Sequence, residues 1–219
     1  MRAPSQSFLK YPLSTLFSSP ANIRVLRELA SIGSEMTATE LVDRTRLSKP
    51  SVLASLDHMA ALGFVDALGS ARQRLYRMNN KHPLCTALTE SFTAEQHRFG
   101  EIMSLLVKAG NEAGVVALWV YGSVPRGDDR PDSDLDIALV IDGDVAQGTD
   151  KVRGRLRDEE DRLLFSASVI GLGTDDIIRL AVERDPLWLS LVEEIRLIPL
   201  IGPPPEAMLA KIKKRRNAA

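Results

Sequence analysis

Residues Tyr121–Val140 read YGSVPRGDDRPDSDLDIALV. This stretch is the most aspartate-laden of the chain, with Asp128, Asp129, Asp132, Asp134 and Asp136, yet it lies between two of the most apolar runs. Upstream, GVVALWVYG has the continuous β-branched and aromatic character of a buried strand. Downstream, LDIALVI is a second such run, and Asp142-Gly143 supplies its turn. Successive side chains of a strand point to opposite faces. Asp134 and Asp136 are therefore expected on one face at the polar head of the second strand, with Leu135 and Ile137 in the core. Paired carboxylates are uncommon inside a strand. The more exposed Asp128, Asp129 and Asp132 read as loop acids.

The pair has a chemical use. Two carboxylates on one rigid face suit a hard divalent cation, which takes oxygen ligands and commonly keeps waters and substrate phosphate. Gly122 permits close approach of backbone to a phosphate, and Ser123 offers a hydroxyl and an N–H. A helix beginning at Ser123 would add a favourable dipole. The combination points to phosphoryl or nucleotidyl transfer. Asp132-x-Asp134-x-Asp136 also begins like a calcium loop, but Ile137 occupies the position that requires glycine, which excludes it.

Gly122-Ser123-Val124-Pro125-Arg126-Gly127 followed by Ser133-Asp134-Leu135-Asp136-Ile137 resembles the DNA polymerase beta-like nucleotidyltransferase family, especially its minimal members. The family pattern is roughly G-S-x-A-R-G, a gap, then S-D-x-D and an apolar residue; Pro125 stands in place of the alanine. The resemblance covers about residues 110–202. It implies that Asp134 and Asp136 bind Mg2+ and act in catalysis, and that Gly122 and Ser123 hold the triphosphate of a nucleoside triphosphate. Arg126 would assist the phosphate or pair with Asp128 or Asp132. The family usually supplies a third carboxylate from a later strand. The corresponding segment here, LLFSASVIG, offers Ser166 and Ser168 but no acid, and Asp161 and Asp175 only flank it. A missing third carboxylate removes a metal ligand or the group that activates the attacking hydroxyl.

Around this motif the chain alternates. DVAQGTDKVRGRLRDEEDRL, TDDIIRLAVE and DPLWLSLVEEI read as helices, LLFSASVIG and RLIPLIG as strands. Such alternation indicates an α/β or α+β sheet domain. With the nucleotidyltransferase resemblance, an α/β domain with a small mixed sheet is expected over residues 114–202, with a basic tail at 203–219. Residues 84–113 contain no proline after Leu84 and read as a long linker helix. His82 and His97 have no His or Cys three or four residues away and read as structural.

The first 80 residues have a different pattern. SPANIRVLRELASIG has helical apolar spacing, and TATELVDRT opens with a Thr37/Glu40 capping box. SKPSVLASLDHMAALG has Ser48 as N-cap, Pro50 in the first turn and Gly63 as stop. Two helices joined by so few residues form a helix-turn-helix pattern. FVDALGSARQRLYRM then reads as a hairpin turning around Gly69 and Ser70. Together, roughly residues 12–80 resemble the winged helix-turn-helix of bacterial regulators, an α+β module. The resemblance implies that the helix from Ser48 enters the major groove of double-stranded DNA. Lys49, Ser51, Ala54 and Ser55 would face bases or phosphates, and the wing arginines Arg72, Arg74 and Arg77 would meet phosphate or minor groove. Such a fold can also serve protein contact.

Charge agrees with two modules. Residues 1–84 carry 11 Lys or Arg against 6 Asp or Glu, and the rest 17 against 23. No apolar run approaches the ~20 residues needed to span a bilayer. A membrane partner is not expected, and no signal peptide is read. The single Cys85 excludes an internal disulfide and fits a reducing cytoplasm. Two readings follow. One is an enzyme moving a nucleotide from a triphosphate to a hydroxyl; the nucleotidyltransferase resemblance implies a protein or RNA acceptor, with an autoregulatory role or a link to a toxin–antitoxin pair. The other is a transcriptional regulator whose second domain is an inactive nucleotide sensor or assembly domain. A homodimer is expected, because paired half-sites call for two-fold symmetry.

Overall fold

The computed structural model describes residues 7–70, 73–193 and 197–217. The chain divides after His97 into two units. The first holds α1 (Pro12–Leu16), α2 (Pro20–Ile32), β1 (Met36–Thr37), α3 (Ala38–Thr45), α4 (Lys49–Ala61), β2 (Val65–Ser70) and β3 (Gln73–Met78). Helix α2 begins on proline after Ser19 and stops at Gly33 in the left-handed region. Helix α3 starts with the expected capping box. Thr37 Oγ1 accepts from the Glu40 N–H at 3.2 Å, and the Glu40 carboxylate accepts from the Thr37 N–H at 2.7 Å. Val25, Leu26, Leu29, Leu41, Leu56 and Phe64 are fully or almost fully buried and tie the three helices to the sheet.

That sheet is antiparallel in the order β1-β3-β2. The hairpin differs from expectation at its tip. β2 continues through Gly69 and Ser70, which face Arg74 and Gln73. Gly69 takes φ +81° close to the Gln73 carbonyl, so its glycine serves the strand end and not the turn. The connection falls on residues 71–72, outside the described residues. α1 and β1 were too short to register in the sequence pattern.

Helix α5 (Cys85–Ala113) spans the unit boundary. Cys85, Leu88 and Phe92 bury in the first core; Ile102, Leu105, Leu106 and Ala109 bury in the second unit. The second unit continues with β4 (Val115–Tyr121), α6 (Ser123–Arg126), β5 (Leu135–Ile141), α7 (Val145–Leu163), β6 (Ala167–Gly173), α8 (Thr174–Glu183), α9 (Pro186–Glu193), β7 (Ile198–Ile201) and α10 (Pro205–Asn217). Its sheet is mixed, in the order β6-β5-β4-β7. β4 runs antiparallel to β5 and β7, while β5 and β6 are parallel across the α7 crossover.

Both faces are covered, which explains why β4 and β5 read as continuous apolar runs. Leu135, Ile137, Leu139 and Ile141 of β5 pack with α5 and α7. Ala138 and Val140 pack with α8, α9 and α10 on the other face, beside Trp119, whose indole N–H donates to the Pro203 carbonyl at 2.9 Å. The third strand starts later than its sequence suggests. Leu163 ends α7 and Leu164 is its left-handed cap. The Arg98 guanidinium takes the carbonyls of Leu163 and Leu164, holding both out of the sheet.

Candidate functional site

Gly122 ends β4 and caps α6 with φ +82° and ψ −150°, a conformation that only glycine adopts readily. A side chain there has a second obstacle. Tyr121 pairs with Asp136 across β4 and β5, so Gly122 lies against the Asp136 carboxylate. A Cβ at Gly122 would stand 3.1 Å from Asp136 Cγ and nearer still to its Oδ2. The backbone of the Gly-Ser turn thus forms a cradle beside the carboxylate that a side chain would fill.

Helix α6 does begin at Ser123, but it is a single turn closed by Gly127 at φ +76°, so its dipole is small. Pro125 sits within this first turn, where a missing N–H costs nothing. Arg126 pairs with Asp128 at 3.3 Å, the structural half of the two roles expected for it. Asp128, Asp129 and Asp132 are exposed. Ser133 folds the loop by accepting from the Arg130 N–H at 2.9 Å.

Asp136 lies within β5 and is half-buried, on the face shared with Ala138 and Val140. Asp134 is exposed and sits just before the strand, which begins at Leu135. The two are therefore joined by one residue, but only Asp136 is fixed by the ladder. On the neighbouring strand, Ser168 faces Asp136. Asp161 lies in α7 and Asp175 in the first turn of α8, where it pairs with Arg216. Asp175 follows the far end of β6; Ser168 to Gly173 alone is about 17 Å along a strand. Among the described residues, no three His, Cys, Asp or Glu side chains gather as a metal site.

In the first unit, Ser48 caps α4 by accepting from the Ser51 N–H at 3.3 Å. Lys49 and Ala54 are exposed and Ser51 is half-buried. Ser55 corrects the expectation. It is 5% exposed and belongs to the stripe Val52, Ser55, Leu56 and Met59, because the helical period returns it to the core. It cannot face DNA. Arg74 is exposed and shares a groove with Lys49, Thr37, Thr39 and Gln73; Thr39 and Gln73 are neutral and carried no charge signal in the sequence. Arg77 is bound to Asp66 at 3.2 Å and Glu35 at 3.7 Å, so its charge is already balanced. Arg72 lies outside the described residues. No described helix is long and apolar enough to cross a membrane.

Comparison with known families settles both units. Residues 19–74 match the MarR family, and residues 102–195 match the nucleotidyltransferase domain. The chain is a MarR-family domain fused to a nucleotidyltransferase domain. No curated protein sequence matches it significantly. A similar solved structure is that of NadR in complex with 4-hydroxyphenylacetate, at 18% identity, covering 48% of this chain and 86% of that one, with a TM-score of 0.35. The MarR-family match spans the first unit's helices α2–α4 and strand β2, and it supports a DNA-binding protein. The nucleotidyltransferase match contains the Gly122–Asp136 cradle.

Proposed function

We propose that the MarR-family unit binds duplex DNA as a homodimer and that the nucleotidyltransferase unit moves a nucleotide from a nucleoside triphosphate to a protein or RNA hydroxyl. The observation that carries this reading is the glycine cradle against Asp136. The absent side chain lets the backbone of the Gly-Ser turn pack directly beside the Asp136 carboxylate, which any other residue would displace. The donor set fits one Mg2+ ion, since that ion is commonly held by one or two carboxylates with substrate phosphate and water completing its shell. Asp134 and Asp136 would be those carboxylates, and the bound ion would neutralise charge on the triphosphate.

Gly122 and Ser123 would hold the phosphates through backbone and hydroxyl, and Arg126 would steady the turn through Asp128. The acceptor oxygen bonds to the α-phosphorus, the α–β bridging P–O bond breaks, pyrophosphate leaves and the hydroxyl proton passes to water. Titration calorimetry with each Mg2+–triphosphate tests the site. Heat of binding that is the same in the parent and in Asp134→Ala/Asp136→Ala would refute it.

A specific observation favours a second reading. Ser168 stands where a neighbouring carboxylate would complete the pair, and Asp161 and Asp175 are elsewhere. The unit would then bind Mg2+–nucleotide without turnover and report it to the DNA-binding unit. Binding without release of pyrophosphate selects this reading.

A further inference from the structure

The second unit contains a cavity of about 540 Å3 on the side of the sheet opposite Asp136. Its floor is apolar, built from Ile102, Val124 and Leu135. Its rim includes two large apolar side chains turned toward water, Phe99 at 42% and Leu164 at 78% exposure. Leu164 is also left-handed, at φ +52°, where helix ends commonly carry glycine. Stability alone would not choose an exposed leucine at that point.

The polar rim is anionic. Glu160 is engaged by the Ala167 N–H, and Arg98 by two backbone carbonyls. Asp129, Asp132 and Asp161 remain exposed, and none of their side chains has a hydrogen bond or ion pair with another described residue. Two guanidiniums, those of Arg98 and Arg130, line the cavity against the four carboxylates of Asp129, Asp132, Glu160 and Asp161, so acid is in excess. An excess of carboxylates around an apolar floor attracts a cationic side chain carried beside a bulky apolar one, and it repels a polyanion. Ser133 and Leu135, the two neighbours of Asp134, both line this cavity. An occupant would therefore touch both chain neighbours of Asp134, at the head of the strand that carries Asp136 on its other face.

We propose that this cavity docks a protein segment in which Lys or Arg flanks a large apolar residue, and that this segment, not RNA, is the acceptor. The word acceptor rests on the nucleotidyl-transfer reading; the docking does not. Transfer to a Ser, Thr or Tyr hydroxyl of the segment forms an O–P bond to the α-phosphorus. It breaks the bond to the departing pyrophosphate and releases the hydroxyl proton to water.

The test uses the full chain and a fluorescein-labelled peptide alternating Arg with Leu and Phe around one Tyr. Anisotropy should show saturable binding. The triple variant Asp129→Asn/Asp132→Asn/Asp161→Asn and the double variant Phe99→Ser/Leu164→Gly should each weaken it by roughly tenfold or more. All five side chains are exposed, so the fold should survive their replacement. A peptide with Glu in place of Arg should not bind, and an oligoribonucleotide should not displace the Arg peptide. Equal binding by parent and variants, or displacement by the oligoribonucleotide, overturns the docking. Labelled nucleotide appearing on the peptide in the parent, and lost in the triple variant, supports its role as acceptor. Docking that behaves as described with no nucleotide transferred to any acceptor removes the transfer reading and leaves the docking in place. Transfer to RNA that is indifferent to the triple variant overturns the acceptor assignment.

Discussion

Asp136 of β5 and Ser168 of β6 occupy facing positions on parallel strands, so their side chains share one face of the sheet. A carboxylate at Ser168 would therefore approach whatever Asp136 binds. Ser168→Asp is expected to tighten Mg2+ binding on the order of tenfold in the presence of nucleotide, since affinity follows ligand charge. Without metal it should destabilise the unit, because two carboxylates would face each other. Calorimetry and urea unfolding with and without Mg2+ measure both effects. A variant indifferent to Mg2+ would remove Asp136 from the metal site.

Gly122→Ala meets an unfavourable backbone region and the Asp136 carboxylate together. The expected loss is about 2 kcal/mol or more of stability in the second unit. Mg2+–ATP binding should vanish, while duplex DNA binding by the MarR-family domain stays unchanged. Wild-type nucleotide affinity in this variant would show that the cradle is not the phosphate site.

Duplex binding should depend on Lys49 and Arg74 more than on Arg77, which already has Asp66 and Glu35 as partners. Each of Lys49→Ala and Arg74→Ala is expected to weaken binding several-fold. Each should also reduce the slope of log affinity against log salt by about 1. Ser55→Ala should leave affinity unchanged, as its side chain is in the core. Anisotropy over a salt series checks all four. An effect at Ser55 equal to that at Lys49 would contradict this orientation of α4.

Burial, and then the Asp66 carboxylate, push the Cys85 thiol up to about 11. Its thiolate should therefore be scarce at pH 8, and a disulfide reagent should react roughly 100-fold more slowly with folded than with unfolded protein. The folded pKa is raised, so the associated stability is complete below the ordinary thiol range. It declines as pH rises from ~8.5 towards the folded value. Urea midpoints at pH 8 and pH 10 should differ more in the parent than in Cys85→Ala.

Leu164→Gly removes a leucine that is both exposed and left-handed. The substitution is expected to stabilise the second unit by roughly 0.5–1 kcal/mol. A lower melting temperature would mean that the Leu164 side chain contributes packing that outweighs its backbone cost.

Much of this architecture was legible because local signals agreed with one another. The Thr37/Glu40 box, the Ser48 cap and the Gly63 stop each fall at a real helix boundary. The Gly-Ser turn between two apolar runs located α6, the end of β4 and the head of β5. Misreadings arose where tertiary contacts decide. Leu163–Phe165 looks like strand by composition, but Arg98, distant in sequence, holds its carbonyls. Ser55 is polar and looked outward, yet its helical phase puts it among Val52, Leu56 and Met59. The cavity opposite Asp136 joins side chains from α5, α7 and the acidic loop, a grouping that no sequence spacing announces.

The chain's two tryptophans, Trp119 and Trp188, are both buried in the second unit. The first unit's aromatics are tyrosine and phenylalanine alone. Excitation at the red edge of the indole band therefore reports on the nucleotidyltransferase domain in isolation. The hydrogen bond from Trp119 to Pro203 makes that emission sensitive to the segment between β7 and α10. The intact chain thus supplies an unlabelled optical channel for one domain, and far-ultraviolet dichroism monitors the whole. Comparing the two traces during a single denaturation would show whether the fused domains melt together or in succession.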